Sequence, residues 1–174
     1  MDLGKSREFG IANTPTEHVF LHDGDDLYSE NWYWAFATRL ANGNLDPRGI
    51  YHTELFVGFG EERFFRQMMD STRPQFAPLY LAVEWYFSNK CVVPKSLFEE
   101  FPMPYNDIRK GVGNEDWSWS CNTIAAGIQH STVPRTICFY RLKPAAESLG
   151  LTPGMIHHKS PLFDPQAVEQ AYRN

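Results

Sequence analysis

A chain of 174 residues with a formal net charge of −5 has the size of one domain and no electrostatic bias toward nucleic acid or an anionic membrane surface. Hydrophobic residues make up 43% and aromatic residues 15%, enough for a sizeable core, and no run approaches the roughly 18 apolar residues of a membrane span. Cys91, Cys121 and Cys138 are an odd number at spacings that fit neither a zinc site nor a disulfide framework, so at least one thiol stays free. No apolar stretch of signal-peptide type follows Met1; the expected location is the cytoplasm, with signal-independent export as the alternative. Neither nucleic acid nor stable membrane insertion is expected, and the oligomeric state is open.

Residues 1–17 are polar and mixed, broken by Thr14-Pro15, and read as an arm either loose or laid over a single domain spanning 18–174. His18 to His22 reads as a short strand ended by the turn Asp23-Gly24-Asp25-Asp26. Its three carboxylates lack the glutamate that completes a calcium loop, so the turn is expected to be solvated. Ser29 to Ala41 reads as a helix: Ser29 caps it, Trp32, Phe36 and Leu40 share a core face, and Asn42-Gly43 stops it. Asp46-Pro47-Arg48-Gly49 turns the chain into a strand from Tyr51 to Val57, closed by Gly58-Phe59-Gly60. Glu61 to Met69 then reads as the second strand of a hairpin. Ser71 to Pro78 is a loop. Leu79 to Phe87 reads as a buried strand, although a short apolar run does not separate strand from helix, and Pro94 to Phe101 adds a turn or two of helix ended by Pro102-Met103-Pro104.

Asn106 to Asp116 is a polar loop leading to a helix that carries Cys121. Ser118 or Ser120 is its N-cap, Ile124, Ala125 and Ile128 mark its apolar face, and Cys121 falls in its first turn. There the unpaired N–H groups and the positive end of the dipole favour thiolate over thiol, which is what a nucleophilic cysteine needs. The plainer reading of Cys121 is a small buried hydrophobe, as for Cys91 and Cys138 in their strand-like runs. A base for the thiol is offered by His52, which alternates with Glu54 on one face of its strand. Gln67 on the neighbouring strand is the candidate to hold the imidazole, with Glu54 and Glu62 competing. His130 is placed at the far end of the Cys121 helix, roughly 13 Å away by helical rise, and receives a surface or dipole role. Arg135 to Leu142 is a further strand, residues 144–149 a short helix stopped by Gly150, and Pro165 to Tyr172 a last helical turn. The adjacent His157 and His158 point to opposite faces of an extended chain and lack the further ligands of a metal site.

In this order the parts resemble the circularly permuted, YiiX-like branch of the NlpC-type papain-like cysteine peptidases. The correspondents are Gly24-Asp25, the helix from Ser29, the strand His52-Thr53-Glu54-Leu55-Phe56-Val57-Gly58, the strand through Gln67, the helix led by Cys121-Asn122-Thr123, and the segments Thr152-Pro153-Gly154 and Ser160-Pro161-Leu162. The resemblance covers residues 18 to 163 and rests on joint order, since each motif is short. It implies an α+β fold in which an antiparallel sheet packs against a Cys-bearing helix. It further implies Cys121 as nucleophile, His52 as base and Gln67 as orienting residue in a thiol hydrolase (peptidase or amidase) that works through a thioester, with the Cys121 N–H as an oxyanion donor and without metal or organic cofactor. Expected substrates are peptides or cell-wall peptide stems. Alternatives are lipid acyl transfer or hydrolysis of the lecithin retinol acyltransferase type, and a non-catalytic binding or inhibitory protein on the same fold.

Overall fold

The structure is a computed structural model and describes residues 3–144, 156–166 and 168–169. The fold is α+β: a curled six-stranded sheet with helices on both faces. The strands are β1 (His18–Phe20), β2 (Leu27–Tyr28), β3 (Ile50–Gly60), β4 (Phe64–Gln67), β5 (Cys91–Pro94) and β6 (His130–Leu142). The main path runs β1-β5-β3-β6-β2, and β4 folds back on β3 as a hairpin. The sheet departs from the antiparallel expectation at its centre, because β3 and β6 run parallel while every other pairing is antiparallel. A parallel pair needs a long crossover. Here the crossover carries β5, α3 (Lys95–Glu100) and α4 (Glu115–Ala125), so it delivers the Cys121 helix to one face of the sheet.

The period of two along β3 and β5 sorts their side chains onto two faces. Ile50, Cys91 and Val93 meet Trp119 of α4 and Ile11, while Tyr51 and Val92 meet Trp32 and Phe36 of α2 (Trp32–Ala41). The helix predicted from Ser29 starts at Trp32 instead. The Ser29 hydroxyl is engaged elsewhere, accepting from the Ile137 N–H at 3.0 Å, while Gly43 with φ 69° closes the helix as read.

The polar N-terminal arm is a helix, α1 (Leu3–Ala12), laid over the domain. Ile11 enters the core, and Arg7 pairs with buried Glu115 at the start of α4 and with Asp23 at 3.4 Å. The turn after β1 is held by cations of the protein itself. Lys90, 3% exposed, lies 2.7 Å from Asp23 and 3.4 Å from the buried Asp26, and Lys143 lies 2.7 Å from Asp25. The strand expected over Leu79 to Phe87 is a 3₁₀ turn, Pro78–Ala82, followed by irregular chain. Proline at its first position presets φ and supplies no ladder N–H, and Leu81 is its one buried residue. The helix predicted over 144–149 and the Thr152-Pro153-Gly154 segment lie outside the described residues. Residues 165, 166, 168 and 169 are helical, as read. No helix among the described residues is long and apolar enough to cross a membrane.

Candidate functional site

His52 is the third residue of β3, on the face that looks toward α4, and is 1% exposed. The side chain that meets its ring is His130 and not Gln67. Gln67 pairs with Leu55, three residues further along β3, and its side chain is exposed. Glu54 is engaged by the Arg135 N–H at 2.7 Å, and Glu62 is exposed beyond the end of β3. His130, in contrast, opens β6 opposite Ile50, which the strand period puts on the same face as His52. The two rings stack at 16° with His52 Nε2 3.1 Å from His130 Nδ1. Two links extend from His130: its Nε2 lies 2.8 Å from the Thr123 hydroxyl of α4, and its backbone exchanges hydrogen bonds with Ser71 at 2.7 and 2.8 Å.

His130 does not lie at the far end of the Cys121 helix, where the sequence pattern puts it. That helix ends at Ala125, and Gly127 with φ 78° turns the chain back, so His130 returns on a strand beside its own helix. The β-branched Thr132 and Val133 just after it were the signal for a strand starting earlier than Arg135.

The hydrogen-bond chain has a direction. The Thr123 hydroxyl carries one proton and faces two helix carbonyls, Trp119 O at 3.1 Å and Ser120 O at 3.0 Å, which only accept. The proton goes to one of them, so His130 Nε2–H donates to Thr123 and leaves Nδ1 to accept from His52 Nε2–H. His52 Nδ1 then holds a free lone pair. It is buried without a hydrogen-bond partner, although the Ser88 backbone lies near enough to favour the charged ring. Burial dominates: it pushes the His52 pKa down to about 3 and that of His130 well below the ordinary histidine value, which the neighbouring ring lowers further. Both rings are neutral at pH 7.

Cys121 is not in the first turn of its helix. α4 starts at Glu115 after Asn114, whose φ of 57° marks the entry, so Cys121 is the seventh helical residue and its N–H belongs to the internal ladder. The dipole and the free donors expected at the sulfur are therefore a turn and a half away. Cys121 is 1% exposed in an apolar cluster with Leu81, Phe87 and Leu162, and burial pushes its thiol pKa up to about 12. Two residues along a helix is a rotation of roughly 200°, so the sulfur points off the opposite side from Thr123. No hydrogen bond joins it to His52 or His130 among the described residues. Phe87 is what the two halves share, lying in the Cys121 cluster and against both imidazoles at centroid distances of 5.4 and 4.3 Å. Cys91 and Cys138 are buried as expected, their thiols likewise pushed up to about 12 by burial. His157 packs edge-on against Trp117 at 4.2 Å.

The chain matches no family model and no curated protein.

Proposed function

We propose that the chain is a thiol hydrolase that cleaves an amide bond in a peptide or a cell-wall peptide stem through a thioester. Cys121 is the nucleophile, His52 the base, and His130 with Thr123 the pair that fixes the base. The observation that carries this reading is the buried chain Thr123–His130–His52, whose last ring nitrogen, His52 Nδ1, makes no hydrogen bond on the face of the sheet covered by the Cys121 helix. A histidine held at one nitrogen and open at the other is the form a general base takes. In the reaction His52 Nδ1 takes the thiol proton, the sulfur bonds the carbonyl carbon, His52 returns the proton to the leaving amine as the C–N bond breaks, and water releases the acyl group. The oxyanion donor does not come from the Cys121 N–H, which is committed to the helix. The thiol, pushed up to about 12, and the imidazole, pushed down to about 3, are both neutral at rest with no hydrogen bond between them, so activation requires the apolar cover over Cys121, Phe87 included, to open and let the two meet.

A second reading, a non-catalytic protein on the same fold, draws on that same neutral, buried sulfur. Labelling with a thiol-directed acyl probe separates the two. A hydrolase gives selective modification of Cys121 over Cys91 and Cys138, at least a hundredfold slower in His52→Ala. Equal or absent labelling at the three thiols, or labelling indifferent to His52, supports the non-catalytic reading.

A further inference from the structure

We propose that residues 156–164 are an autoinhibitory strap, pegged over Cys121 by Leu162 and released in its second half, residues 159–164. This rests on the hydrolase reading and names the regulation of its nucleophile. The strap is tied to the body at its start, where Ile156 exchanges backbone hydrogen bonds with Gly111 (2.8 Å) and Gly113 (3.1 Å), and His158 donates to the Ser118 hydroxyl at 3.2 Å. Beyond His158 the character changes. Among the described residues, the hydrogen bonds of residues 159–164 are internal to the segment or run on to the following turn: Ser160 accepts from Leu162 and Phe163, and Pro161 from Asp164.

What holds this half down is Leu162, with Phe163 packed at the edge of the same cluster. Leu162 is 9% exposed and joins Leu81, Phe87 and Cys121 in a single apolar cluster, while Lys159, Pro161 and Asp164 around it are exposed. A short 3₁₀ turn, Pro161–Phe163, presents the peg, and such turns hold little structure of their own. The strap also borders an open cleft of about 820 Å³ whose walls, apart from Ala82 and Pro165, belong to the strap itself, so its outer side has room to move. Segments with few buried apolar contacts and few hydrogen bonds to the body open at lower free energy than the whole fold. The molecule therefore keeps Cys121 covered until Leu162 leaves its slot and takes Phe163 with it.

The two other cysteines make the test internal, because both are buried in clusters that the strap does not touch. The full-length protein is labelled with iodoacetamide across sub-denaturing urea, and the rate at each thiol is read by peptide mass spectrometry. The expected result is that Cys121 reacts faster than Cys91 and Cys138 with a shallow urea dependence, as local opening requires, and that Leu162→Ala speeds Cys121 at least tenfold while leaving the others unchanged. Three thiols reacting together with one steep urea dependence would overturn the strap, and so would a Leu162→Ala protein whose Cys121 is no faster. Should Leu162→Ala speed all three, the wild-type urea series decides. Selective opening at Cys121 combined with acyl-probe labelling that ignores His52 would leave the strap standing and remove the hydrolase.

Discussion

At the scale of single residues the site is decided by one hydroxyl proton. Serine and threonine inside helices commonly back-bond to a carbonyl three or four residues earlier, and Thr123 has both options within 3.1 Å. That local habit polarises His130 and, through it, His52. Nitrogen NMR of the imidazoles is expected to give both histidines the Nε2–H form at pH 7, with unprotonated Nδ1; an Nδ1–H signal at His52 contradicts the directed chain. Thr123→Val keeps the shape but leaves His130 Nε2–H buried without an acceptor. It is expected to lower unfolding stability by about 1–3 kcal/mol in urea titration, the cost of an unsatisfied buried polar group. A histidine on a strand and a cysteine on a helix were legible in the sequence as local features, although the helix starts six residues before Cys121. His130 was not, because its role depends on where a chain reversal at Gly127 returns it. Gln67 failed for the reason that strand alternation names a face but not whether that face is covered.

At the scale of elements, the helices with clear periodicity and glycine stops were readable, and so was the β3–β4 hairpin. What escaped was the irregular part of the sheet. Between the pairs Thr53–Val133 and Leu55–Ile137, β3 advances two residues while β6 advances four, a bulge that contains Pro134 and places Arg135 at φ 62°. Proline supplies no ladder N–H and left-handed backbone disfavours any residue but glycine, so the bulge needs outside support. Glu54 gives it: its carboxylate accepts from the Arg135 N–H at 2.7 Å, and its own N–H donates to the Thr136 hydroxyl at 3.1 Å. A carboxylate read from sequence as a possible imidazole partner is thus a brace for β6, two residues from His52. Glu54→Ala is expected to cost about 1.5 kcal/mol, the low end for a hydrogen bond to a charged group because the carboxylate is half-exposed. Arg135→Gly is expected to leave stability unchanged or raise it by up to about 1 kcal/mol, since it removes the left-handed penalty at the price of a freer unfolded chain. Urea titration of the two variants and their double mutant checks both signs.

At the scale of the whole molecule, two buried titratable systems sit in one fold and respond to acid in opposite directions. The imidazole pair is neutral when folded, with His52 lowered by burial to about 3 against an ordinary 6.5 and His130 lowered further by its neighbour. Between those two values the unfolded chain binds protons that the folded protein refuses, so this contribution is complete above about pH 6.5 and is lost as pH falls toward 3, at up to about 1.4 kcal/mol per pH unit for each ring. Asp26 and Asp116, raised chiefly by burial, work the other way, because their folded forms take up protons before the unfolded ones and so gain stability on acidification. The carboxylates act above their ordinary 3.8, from their raised folded values downward, so their gain partly offsets the histidine loss, and comparison with a His52 variant isolates the imidazole share. His18, His22 and His157 are lowered by burial as well and add to the same slope, more weakly because each keeps some contact with water. Unfolding stability is measured at constant ionic strength from pH 6.5 to 5 for wild type and His52→Gln. The difference between wild type and His52→Gln should shrink over that interval, because glutamine keeps a polar group in the slot but refuses no proton. A wild-type profile parallel to that of His52→Gln means the ring is hydrated and not sealed against Phe87, and the directed chain to Thr123 loses the dry surroundings that hold it neutral.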